Sequence, residues 1–266
     1  MSGLNASPNE STSAPRRPIR RMLILGGGSE IAIAFAERCI DAGLDHLVLA
    51  GRAGGTVDAA ASDMLQKHPD VRVEVAGFDA TATASHGAAA AALNDSHGPF
   101  DTVVVAFGRL GEPFSLDHDP HEAAELIQVN FAGAVSSSLA AIAILKGEPA
   151  ARLVVVSSIA AVRPRVGNLI YGSAKAGLDA FLTELRAPAA DVGVTVSIVR
   201  PGWVYGRMTD GLEPAPFATT PAAVAEDMYA GVMAGKAVIH SPNALAPVGR
   251  VLRSLPGPLW RRIADR

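Results

Sequence analysis

Cysteine is all but missing from this chain. Cys39 stands alone among 266 residues, so no internal disulfide forms and a reducing compartment is permitted. On an apolar helical stretch it reads as a small core residue. A dominant basic face is missing too: 23 Lys and Arg against 26 Asp and Glu leave a net charge of -3, which argues against a nucleic-acid partner. No stretch approaches the ~20 apolar residues of a membrane-spanning helix. The RRPIRR run at 16–21 imitates a secretion signal, but Glu30 and the glycines before it interrupt the apolar stretch early. His118, Asp119 and His121 lack the second ligand cluster that a metal would need and read as a solvated helix start. These absences imply a soluble, cytoplasmic protein, attached at most to the inner face of a membrane.

What is present is a chain with 49% hydrophobic residues, enough for a large core in one domain. Residues 1–18, rich in Ser, Asn, Pro and Glu, read as a disordered tail. From 19 to 244, short apolar runs alternate with helical patterns: strands at 21–25, 46–50, 71–77, 101–107, from 154, 194–199 and 237–240. Helices are predicted over 30–41, 82–93, 120–145 and 221–235. Thr56 is expected to cap a helix to His68, and Pro188 to end or kink the one after Tyr171. The regular alternation predicts an α/β, Rossmann-like doubly wound parallel sheet with ligands at the carboxyl ends of the strands. Residues 245–266 differ in kind, with Arg250, Arg253, Arg261, Arg262 and Arg266 set among Val251, Leu252, Leu255, Leu259, Trp260 and Ile263. Such a basic amphipathic segment lies at a membrane interface or covers a neighbouring subunit.

The chemistry concentrates in 154–181, VVVSSIAAVRPRVGNLIYGSAKAGLDAF. A buried strand passes through Ser158 into a loop and then a helix. Tyr171 and Lys175 are four apart, so they share one helix face, where an ammonium would stabilise a phenolate and lower its pKa from ~10. Ser158 at the strand end is placed to donate to the substrate oxygen that Tyr171 would protonate. Asn130, in mid-helix, is either a tolerated polar residue or a functional one.

A second constellation lies at the amino end. The first strand ends in Gly26, Gly27 and Gly28, and Ser29 caps the helix after it, the arrangement that admits a pyrophosphate to backbone N–H groups. After the second strand come Gly51 and Arg52 instead of a carboxylate, leaving room for a 2'-phosphate and supplying a guanidinium; the plainer alternative is an exposed loop arginine. Asp79 ends the third strand where an adenine would sit. Beyond Pro201 and Gly202, a loop holding Trp203, Tyr205 and Met208 is the natural place for substrate selection.

Ser158, Tyr171-x-x-x-Lys175, Asn130, the glycine turn, Asp79 and Arg200-Pro201-Gly202 fall in the order and spacing of the short-chain dehydrogenase/reductases, which the chain resembles over about 21–240. The resemblance implies an NAD(P)-dependent oxidoreductase. In it Tyr171 is the acid/base, Lys175 lowers its pKa and holds the nicotinamide ribose, Ser158 orients the carbonyl, and Asn130 positions a water relay. It also places Gly26, Gly28, Ser29, Glu30, Ile31, Ala106, Gly108, Pro201, Gly202 and Val204 on the dinucleotide, and implies a homo-oligomer paired through the long helices near Asn130 and Tyr171. The family's TGxxxGxG turn is altered here, with Leu25, Glu30 and Ala32 at its Thr, second Gly and third Gly. Its NNAG is Val105-Ala106-Phe107-Gly108, and the Thr often found after the PG turn is Gly206.

Within the family, GGGSEI, VAFGRLG, YGSAKAGLDAF, VRPGWVYGRM and LRSLPGPLWRRI are similar to the reductases of decaprenylphosphoryl 2-keto-pentoses in cell-wall arabinan synthesis. That similarity implies NADPH as cofactor, NADH being less favoured, and a lipid-linked keto-sugar as substrate. It also implies a flavin-dependent decaprenylphosphoryl-ribose 2-oxidase as partner and peripheral membrane contact through 245–266. A reductase of another soluble ketone or alcohol, and a dinucleotide-sensing protein without turnover, are the alternatives.

Overall fold

Seven short, mostly apolar runs form one sheet in the computed structural model, which describes residues 17–257 and 260. They are β1 (Arg21–Leu25), β2 (His46–Gly51), β3 (Arg72–Gly77), β4 (Thr102–Val105), β5 (Arg152–Val156), β6 (Thr195–Pro201) and β7 (Val238–Ser241). All neighbours pair in parallel, in the order β3-β2-β1-β4-β5-β6-β7. Parallel strands bury both faces, which is why these runs carry little alternation of polarity. In β1, Met22 and Ile24 join Phe35, Leu49, Met64, Val224 and Met228 on one side of the sheet. Leu23 and Leu25 join Val48, Val103, Leu145, Leu178 and Leu182 on the other. Each such side chain contributes roughly 1.5–3 kcal/mol on burial.

Helices cover both faces. On the Met22 side lie α1 (Glu30–Ile40), α2 (Thr56–Lys67) and, further along the chain, Pro221–Met233. On the Leu23 side lie α3 (His86–His97) and the later helices Ala134–Leu145 and Leu169–Asp191. The strand order reverses between β1 and β4, and the crevice at their carboxyl ends is where such sheets bind ligands. Cys39 is fully buried in the α1 side of the core, and burial pushes its thiol far up.

Several elements differ from the sequence expectation. The helix predicted over 120–145 is three pieces: α4 (Pro120–Ile127), a π-helical turn at Gln128–Gly133, and α5 (Ala134–Leu145). Asp119 caps it as expected, its carboxylate accepting from the His121 N–H at 3.0 Å. This continuous 26-residue run is long and apolar enough to cross a membrane, contrary to the expectation that no segment is. It packs on the sheet through Ala134, Ala141 and Leu145, as the core helix of a layered fold does.

Thr56 does not cap α2 but begins it, Gly55 holding the cap position. A 3₁₀ turn at Thr83–Ser85 precedes α3, which runs on to His97. The helix α6 (Leu169–Asp191) continues one turn past Pro188, where the expectation was an end or a kink. After α7 (Pro221–Met233) and β7, residues Leu245–Ser254 form α8. The expected tail at 1–18, apart from Arg17 and Pro18, lies outside the described residues, as do Leu259, Arg261, Arg262, Ile263 and Arg266 of the basic segment.

Candidate active site

The buried strand β5 delivers its carboxyl end into the crevice, and the next residues turn sharply. Ser158 has extended backbone (φ -162°, ψ 157°) and caps a 3₁₀ turn at Ile159–Ala161, its hydroxyl accepting from the Ala160 N–H at 3.1 Å. The same hydroxyl acts on the phenol of Tyr171, in the first turn of α6, and pulls its pKa down. Lys175 stands one turn further along, with its Nζ 5.9 Å from the centre of the Tyr171 ring. Both are buried, Tyr171 at 9% exposure and Lys175 at 3%. Helical spacing puts Tyr171 and Lys175 on one face, and the structure places them so, with Ser158 at the end of β5 acting on Tyr171.

The electrostatics differ from expectation. Lys175 was expected to lower the Tyr171 phenol, but burial instead raises it from its ordinary value, and only the Ser158 hydrogen bond pulls the other way. The Lys175 ammonium donates instead to the Val156 carbonyl at 3.0 Å, with its Nζ 5.9 Å from the Tyr171 ring centre. Burial in turn brings Lys175 down to about 8.

Asn130 sits within the π-helical turn and is fully buried. Its Nδ2 donates to the carbonyls of Arg109 at 2.7 Å and Leu126 at 3.0 Å, and its Oδ1 accepts from the Arg109 N–H at 3.1 Å. A side chain that replaces backbone partners in this way pins the segment after β4. A Cβ on Gly108 would lie 2.8 Å from Asn130 Oδ1 and 3.6 Å from Lys175 Nζ, so only glycine leaves the floor of the crevice open. Asn130, Gly108, Ser158, Tyr171 and Lys175 thus converge.

One group escaped the sequence reading. Asp179 accepts two bonds from Arg200, one from Nε at 2.9 Å and one from Nη2, and a third from the Ser157 hydroxyl at 3.2 Å. This buried ion pair clamps α6 to the end of β6. A signal was available, since Tyr171, Lys175 and Asp179 follow one another at intervals of four along a single face. Arg200, by contrast, had no sequence cue pointing to Asp179.

The glycine-turn end is built otherwise. Gly26 takes φ +96°, and a Cβ there would meet the Phe107 N–H at 2.8 Å. Ser29 caps α1 as expected, accepting from the Ala32 N–H at 3.4 Å. A Cβ on Gly28 would meet Thr56 Oγ1, so this glycine serves helix packing. The Glu30 carboxylate turns outward to accept from the Arg207 N–H at 2.9 Å, and Ile31 packs against the core. Phe107 packs toward Phe78, 6.1 Å between ring centres. Ala106 donates to the Leu25 carbonyl at 2.9 Å and so lies at the mouth beside β1.

Arg52 and Asp79 stand exposed near the ends of the adjacent strands β2 and β3. Asp79 accepts from the Thr81 N–H at 2.9 Å and the Thr81 hydroxyl at 2.8 Å. Those bonds, helped by the Arg52 charge, hold its carboxyl below the usual range. Beyond Pro201, Gly202 donates to the Ser241 carbonyl at 2.8 Å, and the loop closes on itself where Val204 bridges Thr219. Trp203 and Tyr205 take part in that closure through their backbones, whereas the side chains of Tyr205 and Met208 are about half exposed. Phe217, near the loop's end, is held at φ +64°, a strained conformation for a bulky side chain.

A dinucleotide fits this arrangement. The amino end of α1 offers backbone N–H groups to a pyrophosphate. Lys175 is a buried cation with three donors and a backbone carbonyl as its acceptor, and ribose hydroxyls would relieve it. Among the described residues no three His, Cys, Asp or Glu side chains converge on a metal position.

The family model for short chain dehydrogenase matches residues 20–216. An oxidoreductase of Mycobacterium tuberculosis, named as uncharacterized, is 38% identical over 242 residues, spanning 91% of this chain and 96% of the relative. A similarly named Streptomyces coelicolor protein is 37% identical over 246 residues, 92% of this chain and 96% of its own. Among solved structures, a short-chain dehydrogenase from Sphingobium yanoikuyae in complex with NADPH superposes with a TM-score of 0.76 over 93% of this chain and 96% of that one, at 21% identity.

Proposed function

From the premise that the chain belongs to the short-chain dehydrogenase family and is an NAD(P)-dependent oxidoreductase, we propose that it reduces the carbonyl of a keto-sugar. The observation that carries this is the cluster of Ser158 with the buried Tyr171 and Lys175, in which the Ser158 hydroxyl acts on the Tyr171 phenol. A carbonyl oxygen set between those two hydroxyls accepts from both. As negative charge develops on it, Tyr171 gives up its proton, a general-acid step of ~10² to 10⁴-fold. The raised phenol pKa suits a group that must hold a proton until then. The nicotinamide supplies the hydride when bound. Lys175 holds the ribose and keeps a positive charge beneath the site below about pH 8. Asn130 fixes the chain after β4, which keeps Gly108 clear of the ring.

NADPH is the cofactor this reading favours, because Arg52 stands exposed at the end of β2 where a 2'-phosphate would meet a guanidinium. For the substrate, the C2 ketone of a polyprenylphosphoryl 2-keto-pentose, reduced to decaprenylphosphoryl arabinose, follows from the sequence likeness. The half-exposed Tyr205, Met208, Leu212 and Phe217 beside the crevice suit such an amphiphile. A flavin-dependent oxidase that makes the ketone, membrane contact through the carboxyl-terminal segment and a homo-oligomer through the long helices near Asn130 and Tyr171, where Leu139 of α5 is half exposed, belong to the same reading. The test is NADPH consumption by the purified protein with a polyprenylphosphoryl 2-keto-pentose, product configuration being determined afterward. Turnover with soluble ketones alone would move the substrate to the second enzymatic reading. Dinucleotide binding without turnover of either would favour a sensor.

A further inference from the structure

Glu30 occupies the first turn of α1, beside the N–H groups that would receive a pyrophosphate, and a carboxylate there opposes an anionic ligand. The structure shows what meets it. Glu30 Oε2 accepts from the Arg207 N–H at 2.9 Å and lies 3.7 Å from Arg207 Nε. The far end of the same guanidinium donates through Nη2 to the carbonyl of Gly28, within the glycine turn itself. Arg207 comes from the substrate loop, 177 residues away from Glu30. The contact also dictates its neighbour. A Cβ on Gly206 would lie 2.5 Å from Glu30 Oε2, and since Gly206 is extended, a conformation any residue adopts, the requirement is for space. Glu30, Gly206 and Arg207 are therefore one unit spanning the turn and the loop.

The geometry assigns Arg207 a role in dinucleotide affinity: it neutralises Glu30 and brings a guanidinium to the glycine turn, so that an anionic cofactor binds a turn that carries a carboxylate. Arg207 is on this account a positioning residue that acts through Glu30, and Glu30 in return holds the substrate loop against the cofactor turn. Both side chains are substantially exposed, at 54% and 38%, so their replacement leaves the core intact. The inference rests on the reading that the crevice binds a dinucleotide and concerns a pair that sequence separation conceals.

The test is a double-mutant cycle on NADPH affinity, read by titration of the purified protein without substrate, at low and high salt. Arg207→Met should weaken NADPH at least tenfold, because it leaves the Glu30 charge in the first turn of α1 without its guanidinium. Glu30→Gln alone should stay within about threefold of the parent. The double variant should bind close to the parent and clearly better than Arg207→Met. The Arg207→Met penalty should shrink at 1 M salt, where charge interactions are screened within about 3 Å. In the protein without cofactor, Glu30→Ala should speed chymotryptic cleavage at Tyr205. Additive losses in the cycle, or an Arg207→Met penalty unaffected by Glu30→Gln, would overturn this assignment while leaving the cofactor reading intact. A parent protein that binds neither NADPH nor NADH would overturn both.

Discussion

At the end of the crevice formed by β5 and α6, the polar side chains, all but Ser158 buried, are held by elements adjacent in the sheet. Lys175 donates to Val156, Ser158 meets Tyr171, and Asp179 meets Arg200 and Ser157. At the glycine-turn end, Arg52, Asp79 and Arg207 are exposed and Glu30 partly so, and turn and loop meet through Arg207, which pairs with Glu30 and donates to the Gly28 carbonyl. Buried polar groups without partners cost several kcal/mol, so the first arrangement is rigid by necessity. Exposed pairs stabilise by at most ~1 kcal/mol, so the second is free to adjust affinity and selectivity. On the proposed reading, proton transfer uses the fixed end and the choice of dinucleotide is made at the adjustable one.

Tyr171→Phe separates the two ends most sharply. Turnover should fall by ~10² to 10⁴-fold while the NADPH dissociation constant stays within about threefold, as measured by NADPH oxidation and by titration. A variant that kept most of its activity would remove Tyr171 from the chemistry. Next in size, Asp179→Ala strands the Arg200 guanidinium in the core, with an expected cost of about 3–5 kcal/mol in urea unfolding. Replacing both partners together, as Asp179→Leu with Arg200→Met, should recover most of that loss. If the single change costs under about 1 kcal/mol, the rigid end owes its rigidity to something else.

The pH response should show the contrast next. Burial puts Lys175 at about 8 in the folded protein, against an ordinary value of 10.5. Between those values the unfolded chain binds more protons at this site, so its contribution to the unfolding free energy rises with pH from about 8 to 10.5. Activity should fall around pH 8 as the ammonium of the folded protein is lost, just where the stability contribution begins to rise. Subtracting the urea-unfolding pH profile of Lys175→Met isolates the stability part, and a flat difference would refute the assignment. The smallest effect belongs to the adjustable end. Arg52→Ala should weaken NADPH on the order of tenfold and leave NADH nearly unchanged. Equal weakening of both would make Arg52 an ordinary loop residue.

The strands and the trio Ser158, Tyr171 and Lys175 were legible because periodicity and helical spacing are local properties. What stayed hidden depends on distant partners. Nothing near Glu30 in sequence announces Arg207, and nothing near Asp179 announces Arg200. The π-helical turn was unreadable for a related reason, since Asn130 bonds across to Arg109, a residue of another segment. Pro188 misled because the last turn of α6 tolerates the lost N–H bond, and the helix goes on to Asp191. The direction of the Tyr171 shift could not be foreseen either, because burial outweighs the neighbour that spacing reveals.

The wide turn at Gln128–Gly133 also bears on where this helical run can change length. Each residue of an ordinary α-helix advances the side chains by about 100°. The wide turn closes i to i+5 bonds, so it holds one residue more than an ordinary turn while returning the chain to nearly the same direction. Excising one residue there to make it regular would leave Ala141 and Leu145 facing the sheet but undo the widening that seats Asn130 against Arg109 and Leu126, whereas excising one residue from α5 would rotate every later side chain by about 100°. Length variation between Asp119 and Gly147 should accordingly be confined to the wide turn and the two ends of the run.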